Sequence, residues 1–125
     1  MDTLLTKYND SFKEKQFYIA AIDGNLCNKI DSFLSEIAIA FKFPDYYGSN
    51  MNALNDCIND LEWLDSNNYI LVINHSKAFL KDESIENRNS VYNFLKEVEN
   101  EWANVPNFEG EDAHRNKAIF KIWMI

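Results

Sequence analysis

The sequence predicts an α/β domain built on a small three-stranded parallel sheet with packed helices, and two observations carry that prediction. Three runs of strand length, residues 17–22, 69–73 and 118–125, are apolar almost throughout and lack helical spacing. The segments between them do place apolar residues every three or four positions. Strands joined through helices run parallel, with right-handed crossovers. The pattern leaves the strand order open.

Phe17-Tyr18-Ile19-Ala20-Ala21-Ile22 is continuously apolar rather than alternating, which predicts a strand covered on both faces. The turn pair Asp23-Gly24 closes it. Asn28 is placed to cap the first helix, with Asp31 following, and Ile30, Phe33, Leu34, Ile37, Ala38 and Phe41 share one broad face. Pro44 is expected to end this helix, because proline disfavours helical geometry in the residue before it. A second helix is expected to start near Ser49 or Asn50, with Met51, Leu54, Ile58 and Leu61 as its apolar stripe.

Asn67 and Asn68 read as a turn into the strand at Tyr69, Ile70, Leu71, Val72 and Ile73. A short helical turn is expected to hold Ala78, Phe79 and Leu80. A longer helix runs from Asn89 to Ala103 with Val91, Leu95, Val98 and Trp102 inward. Residues 104–117, with Pro106 and Gly110 and no periodicity, read as an exposed loop. The whole chain, residues 1–125, reads as one domain; residues 1–16 form an N-terminal extension whose Leu4, Leu5, Tyr8 and Phe12 suit a helical turn. Both alternating faces of the strands are apolar, which leaves the N-terminal segment or a second copy to cover one of them.

Composition narrows the function. Hydrophobic residues make up 46% of the 125, with three Gly and two Pro, so the chain can bury a core rather than stay disordered. A formal net charge of −8 opposes direct contact with nucleic acid and favours a basic partner. No apolar run is long enough to span a bilayer, and residues 1–7 lack the basic-then-apolar pattern of a secretion signal. Cys27 and Cys57 are too few for a disulfide scaffold and read as buried thiols in a reducing compartment. A cytoplasmic protein is expected.

The most informative stretch runs from Phe43 to Ile58. A proline-set turn carries Tyr46, Tyr47 and Gly48, then opens into the second helix, whose polar face holds Asn52, Asn55, Asp56 and Asn59. From Phe43 to Ser76 there is no Lys or Arg, while Asp45, Asp56, Asp60, Glu62 and Asp65 fall inside. A carboxylate on an anchored helix enters a basic pocket at little ordering cost, and tyrosines beside it supply rigid contact area. Tyr46 is read as the partner-facing ring and Tyr47 as packed inward. Gly48 is read as giving backbone freedom where the helix begins. A carboxylate beside an aromatic ring imitates a phosphate beside a base, which suits the active site of a nuclease.

Phe43-Pro44-Asp45-Tyr46-Tyr47-Gly48-Ser49-Asn50, followed by Ala53-Leu54 and Asp56-Cys57, closely resembles the matching stretch of the barstar family, intracellular inhibitors of the ribonuclease barnase. Val91-Tyr92-Asn93-Phe94-Leu95-Lys96-Glu97 lies without gaps on that family's final helix. The resemblance implies a barstar-like fold and an inhibitor that plugs a ribonuclease active site. It places Asp56 in the phosphate-binding site and Tyr46 near a catalytic histidine. Contacts are implied from Gly48, Asn50 and Asn59, and a peripheral charge pair from Glu97. Asn52 and Asn55 stand where the family pattern implies an acid and a tryptophan. Those two departures point to a partner other than barnase: a basic secreted ribonuclease with a different guanidinium pattern, or a related basic toxin.

An enzyme reading needs a nucleophile with a base, and only Cys57 with His75 offers the pair. Acidic surroundings raise a thiol's pKa and so oppose that role. His114 falls in the expected loop. Neither a His-Glu-x-x-His nor a Cys-x-x-Cys spacing occurs, and no glycine-rich loop follows the first strand, so neither metal, nucleotide nor other cofactor is expected. A binding module is expected, with no catalytic residue.

Overall fold

The computed structural model describes residues 17–64, 66–105 and 117–125. Strand β1 (Phe17–Asp23) leads through a 3-10 turn (Gly24–Leu26) to helix α1 (Ile30–Ala40) and then α2 (Met51–Ile58). Strand β2 (Asn68–Asn74), helix α3 (Ile85–Ala103) and strand β3 (Phe120–Met124) follow. The sheet is three-stranded and parallel in the order β1-β2-β3, with Ile19 beside Ile70 and Ile70 beside Lys121. The expected α/β architecture is the one the chain adopts.

The central strand explains its own sequence: every residue from Tyr69 to Ile73 is buried, as a continuous apolar run requires. The same expectation fails for β1, an edge strand among the described residues. There only Ala20 and Ile22 are buried, while Ala21 is exposed. Against the sheet pack Phe33, Ile37 and Phe41 of the α1 region, Leu54 and Ile58 of α2, and Val91, Leu95, Val98 and Trp102 of α3.

Helix ends depart from the sequence reading for traceable reasons. Asn28 does not cap α1; its amide donates to the carbonyl oxygens of Gly24 at 3.4 Å and Ala78 at 3.2 Å. Lys29 holds the cap position, and the Ile30 N–H donates to Glu83 Oε2 at 2.8 Å. The bonds that Glu83 accepts from Ile30 and then Asn87 hold its carboxyl below the usual carboxylate range. At the other end, Lys42 turns left-handed at φ 55° before Pro44 is reached. Its N–H donates to the Ile39 carbonyl oxygen at 3.2 Å, and the Phe43 N–H to that of Ala38 at 2.9 Å, the pattern of a Schellman stop.

Helix α3 starts at Ile85 rather than Asn89, because the Ser84 hydroxyl accepts from the Asn87 N–H at 3.1 Å. Asn68 belongs to β2 rather than to a turn. The Ala78–Leu80 stretch forms successive tight turns rather than a helix, with Phe79 and Leu80 buried. The expected helical turn at Leu4, Leu5, Tyr8 and Phe12 lies outside the described residues, as does most of the expected loop at 104–117.

One bond ties α3 to α2. The Trp102 Nε1–H donates to the Ile58 carbonyl oxygen at 3.0 Å in a buried setting. Trp102→Phe leaves that carbonyl without this donor and is expected to cost about 1–3 kcal/mol. Urea unfolding reads this as a lower midpoint at unchanged slope; an unmoved midpoint would show that the bond does not anchor α2.

Candidate protein-binding interface

Helix α2 begins where Asn50, extended at φ −137°, accepts the Ala53 N–H on its side-chain oxygen at 2.8 Å. The residue that takes the left-handed conformation before it is Ser49, at φ 53°, not Gly48. Gly48 therefore does not supply the backbone freedom expected of it. Its missing side chain matters through space instead, since a Cβ there would sit 3.3 Å from Asn50 Nδ2.

The helix is sharply two-faced. Leu54, Cys57 and Ile58 are buried and Met51 is half-buried, while Asn52, Asn55 and Asp56 are exposed. Asn59 caps the C-terminal end and is half-buried; its amide donates to the Asn55 carbonyl oxygen at 3.0 Å and to Asn55 Oδ1 at 2.9 Å. Asn55 and Asn59 thus form a fixed amide pair beside the Asp56 carboxylate. Asn50 is exposed, but its cap bond spends its side-chain oxygen inside the fold. Glu97 stands exposed on α3, and no hydrogen bond or ion pair among the described residues joins it to the α2 group.

The two tyrosines point opposite ways. The Tyr47 hydroxyl donates to the Leu34 carbonyl oxygen at 3.1 Å, and its ring meets Phe43 edge-on at 4.9 Å. Phe43 also packs edge-on against Trp63 at 5.9 Å, and the Trp63 indole N–H donates to the Phe41 carbonyl oxygen at 2.9 Å. This aromatic stack holds the turn from beneath. Tyr46 is left 72% exposed. Desolvation, with Cys57, Asp60 and Glu62 nearby, pushes its phenol pKa upward. Asp60 and Glu62, both acids of the lysine-free stretch, therefore stand near the Tyr46 ring.

Cys57 is a free, buried thiol, as is Cys27. Burial and the charges of Asp56 and Asp60 raise the Cys57 pKa, which keeps it protonated near neutrality and opposes nucleophilic chemistry. Among the described residues no group of three or more His, Cys, Asp or Glu is placed to hold a metal ion. No described helix is long and apolar enough to cross a membrane.

The family model for barstar, the barnase inhibitor, matches residues 17–120. The chain belongs to the barstar family. No curated protein matches it. The barstar match spans β1, all three helices and β2, and reaches the start of β3, so both the two-faced helix and the aromatic-backed turn lie inside it. Barstar is an inhibitor family, not a family of enzymes.

Burial also raises the Tyr47 phenol from 10.0 to about 12, above its value in an unfolded chain. The folded state then holds that proton more tightly, so the stabilisation is complete below pH 10 and is lost as pH rises through about 12. Urea stability is expected to fall across that window, and to fall less steeply in Tyr47→Phe. Identical slopes in the two proteins would contradict the buried, donating phenol.

Proposed function

We propose that this barstar-family chain inhibits a basic ribonuclease by occluding its active site, protecting the cell from a toxin. The observation that carries the proposal is the exposed Asp56 carboxylate on a helix whose opposite face buries Leu54, Cys57 and Ile58, next to a highly exposed Tyr46. The helix and turn enter the catalytic groove as a rigid body. Asp56 takes a phosphate position among cationic side chains, and Tyr46 lays its ring where a base would stack. Asn50, Asn52, Asn55 and Asn59 line the rest of the contact with Gly48, and Glu97 contributes at the periphery. The mechanism is steric and electrostatic, with no bond made or broken.

The electrostatic pattern supports this reading. The −8 charge steers a cationic partner, and the lysine-free stretch from Phe43 to Ser76 focuses that field on the binding edge. Asn52 and Asn55, both exposed, favour a second version: the same edge inhibits a basic toxin other than barnase, and that toxin need not be a ribonuclease. Co-expression separates the two. Rescue from a ribonuclease toxin supports the first, and rescue only from a toxin of other activity supports the second.

Asp56→Ala is expected to weaken binding to the toxin well over tenfold, or more than about 1.4 kcal/mol. Titration calorimetry measures this, and unchanged affinity would remove Asp56 from the role given to it. Association should also slow markedly between low and moderate salt, as the screening length shrinks from about 30 Å at 0.01 M to about 10 Å at 0.1 M. A flat rate in stopped-flow mixing would contradict acidic steering.

A further inference from the structure

Strand β3 lies at the sheet edge among the described residues, and its bonds reveal which way its peptide groups face. The Tyr69 N–H donates to the Ile119 carbonyl oxygen at 2.9 Å, and the Ile125 N–H to that of Ile73 at 3.0 Å. The odd-numbered residues therefore turn toward β2, and Phe120, Ile122 and Met124 turn outward. Such an outward row is a template on which another strand can form. Helix α3 blunts it at two points. The Ala118 N–H donates to the Trp102 carbonyl oxygen at 3.1 Å, and the Ile122 N–H to Glu99 Oε2 at 2.8 Å. No described residue accepts from the N–H of Phe120 or Met124.

Glu99 sits in the middle of a groove between α3 and this edge. A cavity of about 460 Å³ lies to one side, bordered by Lys117 and Ile119, and one of about 530 Å³ to the other, bordered by Leu95 and Met124. Ile119, Met124 and Ile125 stay 39%, 40% and 42% exposed.

We infer that Glu99 is a guard: by occupying the central outward donor of β3, its carboxylate keeps a second copy of this chain from pairing along that edge. The second copy follows from the register. In an antiparallel pair about a twofold axis at Ile122, Ile119 of one copy faces Ile125 of the other, and Phe120 faces Met124. The exposed Ile119 and Ile125 thus meet one another at both ends of the pair, exposed Met124 falls opposite buried Phe120, and Lys121 meets Trp123. A slip by one hydrogen-bonded pair toward the N-terminus sets Lys121 against Lys121, which is unfavourable. The register about Ile122 avoids that clash and brings Ile119 against Ile125. With Glu99 in place, an approaching strand would have to displace a charged acceptor from Ile122 or bury that charge without its bond, and both are costly.

The test compares Glu99→Ala with Glu99→Gln, whose side-chain oxygen still accepts from Ile122. Sedimentation across a wide concentration range should show Glu99→Ala dimerising at least tenfold more tightly than the native chain, with Glu99→Gln, which keeps the acceptor but not the charge, falling between the two. Hydrogen exchange at Phe120 and Met124 should slow in that dimer. Glu99→Leu, which removes the acceptor while keeping side-chain bulk, serves with the same expectation where Glu99→Ala does not fold. A folded Ala or Leu variant that stays as monomeric as the native chain overturns the inference. So does equal association of all the proteins, or a dimer whose exchange protection lies away from β3.

Discussion

A helix of eight residues cannot hold itself together in water, because so short a segment repays too little of its nucleation cost. Helix α2 therefore exists by virtue of its surroundings. Asn50 satisfies its first turn, Leu54, Cys57 and Ile58 bury one face, and the Trp102 indole takes the carbonyl at its far end. These restraints leave the helix a single orientation. Its polar face, with Asn52, Asn55 and Asp56, is consequently presented outward and cannot turn away. A rigid presentation is what allows one carboxylate to act as a binding anchor without a large ordering cost on association.

The turn that precedes α2 is governed by the same logic. Tyr47, Phe43 and Trp63 interlock through edge-on contacts, and two of them donate hydrogen bonds to main-chain carbonyls of the α1 region. Packing of that kind decides which tyrosine is packed inward and which is left exposed. The acids beside the exposed ring have a double effect. They favour a cationic partner, and Asp56 and Asp60 add to burial in raising the Cys57 pKa, which opposes thiolate chemistry at this edge.

Much of this was legible in the chain itself. The unbroken apolar run of β2, the stripe of Leu54 and Ile58, the inward positions of α3 and the inward turn of Tyr47 all follow from local pattern. What escaped were features decided at a distance. Ile30 finds its acceptor in Glu83, 53 residues away, and Lys29 lacks the short polar side chain that usually marks a cap; the one local sign is Ser32, whose hydroxyl accepts from the Lys29 N–H at 3.3 Å. The exposure of Ala21 depends on β1 lying at the edge, and strand order is not written in periodicity. The first turn of α3 is exposed, so its start rests on Ser84 rather than on any apolar residue. Ser49, not its glycine neighbour, adopts the left-handed backbone, which reverses the usual expectation for such a pair.

The proposal that α2 and its turn form the inhibitory surface is tested most directly by the hydrogen-exchange footprint of the chain bound to a basic ribonuclease toxin. The account predicts slowed exchange concentrated in residues 43–62, with the opposite end of the sheet, around residues 74–82, unaffected by binding. Protection confined to that opposite end, with residues 43–62 exchanging as in the free chain, would contradict it.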